Sequence, residues 1–417
     1  MTDTPRRLVI LGAGTGGTLA ANRLRKQFPV SELMIDIVDE NDTHVYQPGL
    51  LFVPFGLAKP DEIVRPRGDQ LHDDITYHLN PVARVDIDAN RVELGDGAVL
   101  DYDVLLVATG TVLQPEETEG LLGDAWMDSV FTFYDMEGAT ALHDALENFS
   151  EGRLVVNVVD MPIKCPVAPL EFVFLADWYF TEKGVRDAIT IVYATPLDGA
   201  FTKPVASNAL GSLLEDKHIE IVTEFNTGEV DNENKMLIGY DGTEVPFDLA
   251  VIVPLHGGAP YVAESGDLGD ELGFVPTNNA TMQSLVRPNI FVLGDAADVP
   301  TSKAGSVTHF EGEVLVENIA SFLAGTPLEA SYDGHANCFI ETGFSKALLI
   351  DFNYETEPLP GHYPSRFGLP LLKESRINHL GKLMFQSFYW HGLLPGRDIP
   401  GIGADMPDRG KEPVETS

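Results

Sequence analysis

The sequence predicts an α/β protein made of two Rossmann-like nucleotide-binding units, followed by a C-terminal segment of different character. Three observations lead there. Near the N-terminus an apolar strand runs into a glycine-rich turn and then a helix. From about residue 114 a second series of apolar strands and helices begins. After residue 366 the local charge turns basic in an otherwise strongly acidic chain. Alternating strands and helices imply a parallel sheet with helices on its faces.

The first unit opens on RRLVILGAGTGGTLAANRLRKQ, where residues 8–11 read as a buried strand and a helix begins near Gly16. The run Gly12-Ala13-Gly14-Thr15-Gly16-Gly17 fits G-x-G-x-x-G. The first glycine permits a tight turn, the second lets the backbone approach a pyrophosphate, and the third lets helix and strand pack closely. The helix N-terminus then offers free N–H groups to phosphate. LMIDIVDEN is the second strand; it places Asp39 and Glu40 about 20 residues beyond the glycines, where an acid suits ribose hydroxyls. A hairpin-rich stretch follows, with turns at AN and GDG, and closes on the strand YDVLLVATG with the small-residue turn Ala108-Thr109-Gly110.

The second unit contains RLVVNVVD and AITIVYATPLDG and ends on FDLAVIVPLHGG. The chain then returns with RPNIFVLGDAADV, a buried strand ending in Gly294-Asp295, and a helix around VTHFEGEVLVENIASFLAG. This assigns residues 1–113 and 261–330 to one domain, 114–260 to a second and 331–417 to a C-terminal segment. The final stretch DMPDRGKEPVETS is expected to be a disordered tail.

Composition narrows the class. With 417 residues and 44% hydrophobic content, the chain can bury two or three cores. No apolar run reaches 18 residues, so no membrane-spanning helix is expected. Arg6 and Arg7 lead straight into a strand, which reads as a strand entrance rather than a signal peptide and predicts a chain that begins inside the cell. Against 64 acidic side chains stand 27 Lys and Arg, a formal charge of −37. That balance excludes nucleic acid as a partner, because phosphate binding needs basic patches. Ordinary hydrophobicity excludes an acidic disordered chain. Such self-repulsion is tolerable where salt screens it, so a halophilic cytoplasm is expected, with an acidic mesophilic protein as the alternative. There are two cysteines, Cys165 and Cys338, far apart and not in a CxxC pair. Scattered thiols of this kind are more often inert core residues than catalytic ones. No metal site is expected.

Two further stretches bear on the dinucleotide. LLVATG (residues 105–110) and IFVLGDAAD (290–298) resemble the second and third FAD motifs of two-dinucleotide-binding flavoproteins. In that group the acid of the G-D pair meets the ribityl chain, which here is Asp295. The three motifs come in the expected order, so FAD is expected at the first site. The second unit is informative by what it lacks. NAD(P)H-using relatives carry a second glycine-rich loop after the strand RLVVNVVD, and this chain has MPIKCPVAPLEF. Pro162, Pro166 and Pro169 have no N–H, and no glycine allows a pyrophosphate to approach. The unit therefore reads as degenerate, and a reduced nicotinamide is not the expected donor.

MPIKCPVAPLEF, together with the distant NCFIETGFSKALLIDF, resembles the sulfide:quinone oxidoreductases, and the resemblance runs along nearly the full chain. It implies that Cys165 and Cys338 are the two cysteines that flank the re face of FAD in that family. Many members have a third cysteine where this chain has Ser129-Val130-Phe131-Thr132, which leaves the form of the released sulfur and covalent attachment of FAD open. The segment at 43–56 is similar to the family stretch running past the flavin ring, with Pro48 near it. Lys164 and a helix starting after Pro166 are expected to lower the pKa of Cys165. His309, in the helix after the G-D pair, is more often structural than a proton relay and stays outside the catalytic set.

Between 366 and 397 the chain holds Arg366, Lys373, Arg376, Lys382 and Arg397 against the single acid Glu374. INHLGKLMFQSFYWHGLL places Leu380, Leu383, Met384, Phe388 and Leu393 near one side of a helix, with Tyr389 and Trp390 beside them. Basic and aromatic residues around an apolar stripe suit a helix lying in a membrane surface; a core-packing or dimer helix is the alternative. By the resemblance this segment opens toward a quinone pocket, with Lys382 and Phe385 on the quinone side. The expected activity is oxidation of sulfide through a two-cysteine centre and FAD, with electrons passed to a membrane quinone from the cytoplasmic side of the cell membrane. The alternatives are a sulfide dehydrogenase flavoprotein with a cytochrome acceptor, a type II NADH:quinone oxidoreductase, and a non-catalytic flavin-bound redox sensor. Sulfur product, quinone type and oligomeric state, a homo-oligomer included, stay open.

Overall fold

The computed structural model of the protein describes residues 4–397 and 403–412. In chain order, the elements that position the site begin with β1 (Arg6–Leu11), α1 (Thr15–Gln27), β2 (Leu33–Asp39), β3 (Thr76–Leu79) and β4 (Val104–Val107). They continue with β5 (Val130–Phe131), α2 (Met136–Asn148), β6 (Gly152–Val158), α3 (Ala168–Lys183), β7 (Ile189–Ala194), α4 (Pro204–Asp216), β8 (Glu220–Val222) and β9 (Leu249–Val253). The last are β10 (Ile290–Val292), α5 (Gly305–Ala324), β11 (Ala336–Gly343), β12 (Lys346–Phe352) and α6 (Arg376–Phe388).

The fold is mixed α/β. One parallel sheet has the order β10–β4–β1–β2–β3. The last four residues of β1 and all of β4 and β10 are buried, the continuous apolar pattern of strands covered on both faces. A second parallel sheet has the order β5–β9–β6–β7–β8. Helix α3, which follows β6, is buried without a break from Ala168 to Asp177, so it is an internal helix. Its inner face meets the antiparallel hairpin β11–β12, in which Cys338 pairs with Ile350. Helix α6 packs on this hairpin, and its N-terminus is capped by Ser375, whose hydroxyl accepts from the Asn378 N–H at 3.1 Å.

Two expectations for the C-terminal segment change. Residues 405–412 are docked, not a disordered tail. Met406 is buried and its N–H donates to Asp333 at 3.0 Å, and the Lys411 ammonium lies 2.7 Å from Asp351. Asp351 is fully buried and also 2.9 Å from the His335 ring, and a carboxylate there requires such partners. Residues 413–417 lie outside the described residues. Tyr389 and Trp390, expected at a membrane interface, are core residues at 2% and 3% exposure. Trp390 packs on His44 and Tyr46 and lies under the Arg65 guanidinium. Leu393 is buried as well, whereas Ile377, Leu380, Leu383 and Met384 leave half or more of their surface exposed on α6. Among the described residues no helix is long and apolar enough to cross a membrane.

Candidate active site

The glycine turn joins β1 to α1, and its glycines divide by what a side chain would meet. Gly12 has φ +95°, and a Cβ there would sit 2.5 Å from the Ala108 carbonyl oxygen. At Gly17 a Cβ would sit 1.8 Å from the Gly12 carbonyl oxygen. These two are demanded by the fold. A Cβ on Gly14 would meet no atom within 4 Å, so this position faces open space. Helix α1 has no side-chain cap at its N-terminus, and its first N–H groups are left for a ligand. The Asp39 carboxylate accepts from the Ala13 N–H at 2.7 Å and pairs with the Arg67 guanidinium, which holds the turn against the end of β2.

A cleft of about 390 Å³ opens at this turn. Gly12, Gly14, Thr15, Gly16, Asp39 and Glu40 line it, as do Pro48, Ala108, Thr109, Gly110, Gly294 and Asp295. Cys165, Lys382 and Phe385 line the same cleft. Of the residues singled out from sequence, Gly17 and Cys338 are not part of the lining: Gly17 packs behind the turn, and Cys338 is buried in β11. An uncapped helix N-terminus, an open glycine cradle and an acid at each of two strand ends fit a dinucleotide.

Behind Asp295 the chain holds a second set of buried charges. Gly294 has φ +72° and donates its N–H to the Glu311 carboxylate at 2.9 Å. Lys303 donates to the carbonyls of Asp295 and Ala297 at 2.7 and 3.0 Å. Burial raises the Asp295 carboxyl, while Lys303 and Lys164 pull it down. Burial pushes the Glu311 carboxyl up to about 8 against the opposing Gly294 N–H. A carboxyl raised on folding binds its proton more tightly in the folded state, so the stability it confers falls as pH rises from the unfolded value, about 4.3, through the folded one. Glu311→Gln keeps an acceptor for Gly294 and removes this loss. Its melting midpoint should match the parent near about pH 4 and exceed it at about pH 9; equal midpoints at both would refute the shift.

Cys165 reaches the cleft on a loop that belongs to the second unit but is stitched to the first. Its φ is +50°, its N–H donates to the Lys303 carbonyl at 2.6 Å, and Lys164 forms a parallel bridge with Lys303. The Cys165 carbonyl accepts from the Ala168 N–H at 2.9 Å and from the Tyr134 hydroxyl at 3.2 Å. The expected lowering of its pKa by Lys164 is not found. Burial, and next the Glu171 carboxylate, push the Cys165 thiol up to about 12; the cation that opposes them is Lys382. The Lys164 ammonium lies instead 6.0 Å over the Tyr134 ring. Cys338 is raised as well, by burial first and then by Cys165 and Glu171, again with Lys382 opposing. Both are free thiols.

Sequence reasoning missed the network that surrounds both thiols. Glu171 on α3 forms an ion pair with Lys382 on α6. The Glu341 N–H on β11 donates to Glu171 at 2.7 Å, and both Glu341 oxygens lie 2.9 Å from His379 Nδ1. Glu171 and Glu341 are each 1% exposed. Their signal in the sequence is a lone acid in APLEFVFLADW and another in NCFIETGF, each set among apolar residues where an unpaired charge is costly. Lys382, Glu341 and His379 also line a second cavity of about 270 Å³ with Tyr46, Phe52, Trp178 and Gln386. Phe385 packs on Tyr46 and Tyr389. The Tyr389 hydroxyl sits 2.7 Å from Thr15 and 2.6 Å from His44, which ties the end of α6 to the glycine turn. Phe131 is buried in β5, and its neighbours Phe133 and Tyr134 line the cleft. Burial lowers His309 to about 3, which leaves the ring neutral.

The chain is similar to known proteins along most of its length. Residues 6–156 match the family model described as pyridine nucleotide-disulphide oxidoreductase. The chain is 26% identical over 398 residues to the mitochondrial sulfide:quinone oxidoreductase of Dictyostelium discoideum, covering 94% of this chain and 86% of that protein. It is 28% identical over 420 residues to the mitochondrial sulfide:quinone oxidoreductase of Schizosaccharomyces pombe, covering 93% and 90%. Among solved structures, the sulfide:quinone oxidoreductase of the hyperthermophilic bacterium Aquifex aeolicus superposes with a TM-score of 0.80 at 20% identity, covering 94% of this chain and 92% of that one.

Proposed function

We infer that this chain, an FAD-dependent oxidoreductase, is a member of the sulfide:quinone oxidoreductase family, oxidises sulfide at Cys165 and Cys338 and passes the electrons to a membrane quinone. The observation that carries this reading is the placement of Cys165 in the same cleft as the glycine turn and Asp295, on a loop pinned to Lys303.

Gly12, Gly14, Thr15 and Gly16 would hold the pyrophosphate of FAD, with Gly17 closing the turn behind them. Asp39 and Glu40 would meet the ribose and Asp295 the ribityl chain, and Pro48, Ala108, Thr109 and Gly110 line the same cleft. When bound, FAD supplies the two-electron carrier between sulfur and quinone. Gly14→Ala should leave the fold intact and weaken FAD binding by about tenfold, because the new methyl group occupies the cradle. Gly17→Ala should destabilise the chain by roughly 1–3 kcal/mol or more, because its methyl group meets the backbone. Reconstitution of apoprotein with FAD, followed by thermal melts, separates the two; equal behaviour would contradict the assignment.

In the oxidised pair the two cysteines form a disulfide. Hydrogen sulfide attacks one sulfur, a new S–S bond forms, the Cys–Cys bond breaks, and a persulfide and a thiol result. Lys382 opposes the cost of a buried thiolate at either cysteine. Over the cycle sulfide loses two electrons and two protons, and the quinone gains both. The sulfane sulfur leaves as polysulfide or on an acceptor. Lys382 and Phe385 are assigned to the quinone side: both line the cleft, and Lys382 also lines the second cavity, to which this reading assigns the quinone head. The quinone tail leaves over the exposed apolar residues of α6, by which the enzyme lies on the cytoplasmic side of the membrane as a peripheral protein. Leu383→Glu with Met384→Glu should reduce flotation with lipid vesicles by about tenfold; unchanged flotation would refute this docking face.

The decisive experiment is anaerobic titration of the flavoprotein with sulfide, then with a soluble quinone. Sulfide is expected to bleach the flavin and quinone to restore it. A flavin that sulfide does not reduce would overturn the reading.

A further inference from the structure

The reaction moves protons as well as electrons, and the chain holds a largely buried row of ionisable groups with one end in each cavity. Glu171 lines the cleft that contains Cys165. Lys382 lines both cavities, and Glu341 and His379 line the second. We propose that Glu171, Lys382, Glu341 and His379 form a proton route that carries the protons released at the cysteines to a quinone whose head group occupies the second cavity.

The contacts are continuous over most of the row. Lys382 is ion-paired with Glu171, and both oxygens of Glu341 lie 2.9 Å from His379 Nδ1. The Glu341 N–H fixes the Glu171 carboxylate at 2.7 Å, and the Phe339 carbonyl holds the Lys382 ammonium at 3.2 Å. Lys382 and Glu341 act on each other's charge and both line the second cavity, and the proposed route requires a water in that cavity to bridge them. Burying two carboxylates and an ammonium is a poor stability device, since apolar groups of the same volume often do as well or better. A route for protons explains why they are kept. The row alternates acid, base, acid and imidazole, so each neighbour can take the proton the last one gives. The chemistry balances without another reactant. Hydrogen sulfide yields two electrons and two protons, the electrons reach quinone through the flavin, and the protons reach it through the row as it becomes quinol.

This proposal rests on the sulfide-to-quinone reading, and its test separates the two. Stopped-flow kinetics on the holoenzyme measure sulfide-dependent flavin reduction and quinone-dependent reoxidation in turn. In H379A and in E341Q, reoxidation should slow by about tenfold more than reduction does. Added imidazole should restore most of the rate in H379A, which a merely structural histidine would not allow. In reduced-minus-oxidised infrared difference spectra of the parent, a carboxyl band should be present that E341Q lacks. If sulfide does not reduce the parent flavin, the functional reading falls and the route with it. If the parent turns over but both variants reoxidise at its rate, or H379A is slow and imidazole does not help, the route alone is overturned.

Discussion

Cys165→Ser should abolish sulfide-dependent flavin bleaching, with a rate loss on the order of 10³-fold or more, while the flavin stays bound. Serine retains the size of the thiol and the loop contacts, because Cys165 holds its loop through backbone groups: the N–H to Lys303 and the carbonyl to Ala168 and Tyr134. What is lost is the sulfur. Cys338→Ser should cost as much, because a disulfide needs both partners. The double variant should be no slower than either single one, since residues that act as a unit do not add. Anaerobic stopped-flow reduction by sulfide, with flavin content measured in parallel, decides it. A single variant that keeps more than a tenth of the parent rate would remove that cysteine from the chemistry.

Lys382→Met should be the most damaging substitution outside the cysteines. The Lys382 side chain is 10% exposed, and it is the cation for Glu171, itself 1% exposed. Breaking a buried pair from one side costs about 3–5 kcal/mol, because the remaining charge is stranded. The Glu171 carboxyl, already raised by burial with Lys382 as the largest opposing influence, would rise further. Both thiols would lose the cation that opposes their upward shift, so sulfide-dependent reduction should slow at neutral pH as well. Adding Glu171→Gln should recover most of the stability, since the stranded charge is then gone, but should not recover the rate. Denaturation midpoints of the holoenzyme in excess FAD, set beside reduction rates, test both halves. A stable Lys382→Met variant would show that the pair is not worth its burial.

Much of the first unit was legible in the sequence, because its signal is local. Strand, glycine turn and helix lie within one short run, and the steric demand at Gly12 and Gly17 is met by glycine alone. The loop at Cys165 was legible by what it lacks, since a proline-rich, glycine-free turn is visible without a structure. The charge partners were not legible. Sequence proximity pointed to Lys164 as the cation beside Cys165, and the fold turned that side chain toward Tyr134 and brought Lys382 across from α6. Tyr389 and Trp390 carried a membrane-interface composition, yet the end of α6 tucks them against His44, Tyr46 and the glycine turn.

By itself, then, the sequence determined the α/β class, the glycine turn with its acid at the end of β2, and the absence of a second glycine loop. Each depends on residues adjacent along the chain or on backbone geometry that one residue type allows. The tertiary structure alone decided that Cys165 and Cys338 share one buried electrostatic environment, that their thiols are raised and not lowered, and that Glu171, Lys382, Glu341 and His379 meet between two cavities. Burial and the pairing of charges far apart in the chain set those properties. Both arise only when α3, the β11–β12 hairpin and α6 pack together, which no local pattern encodes.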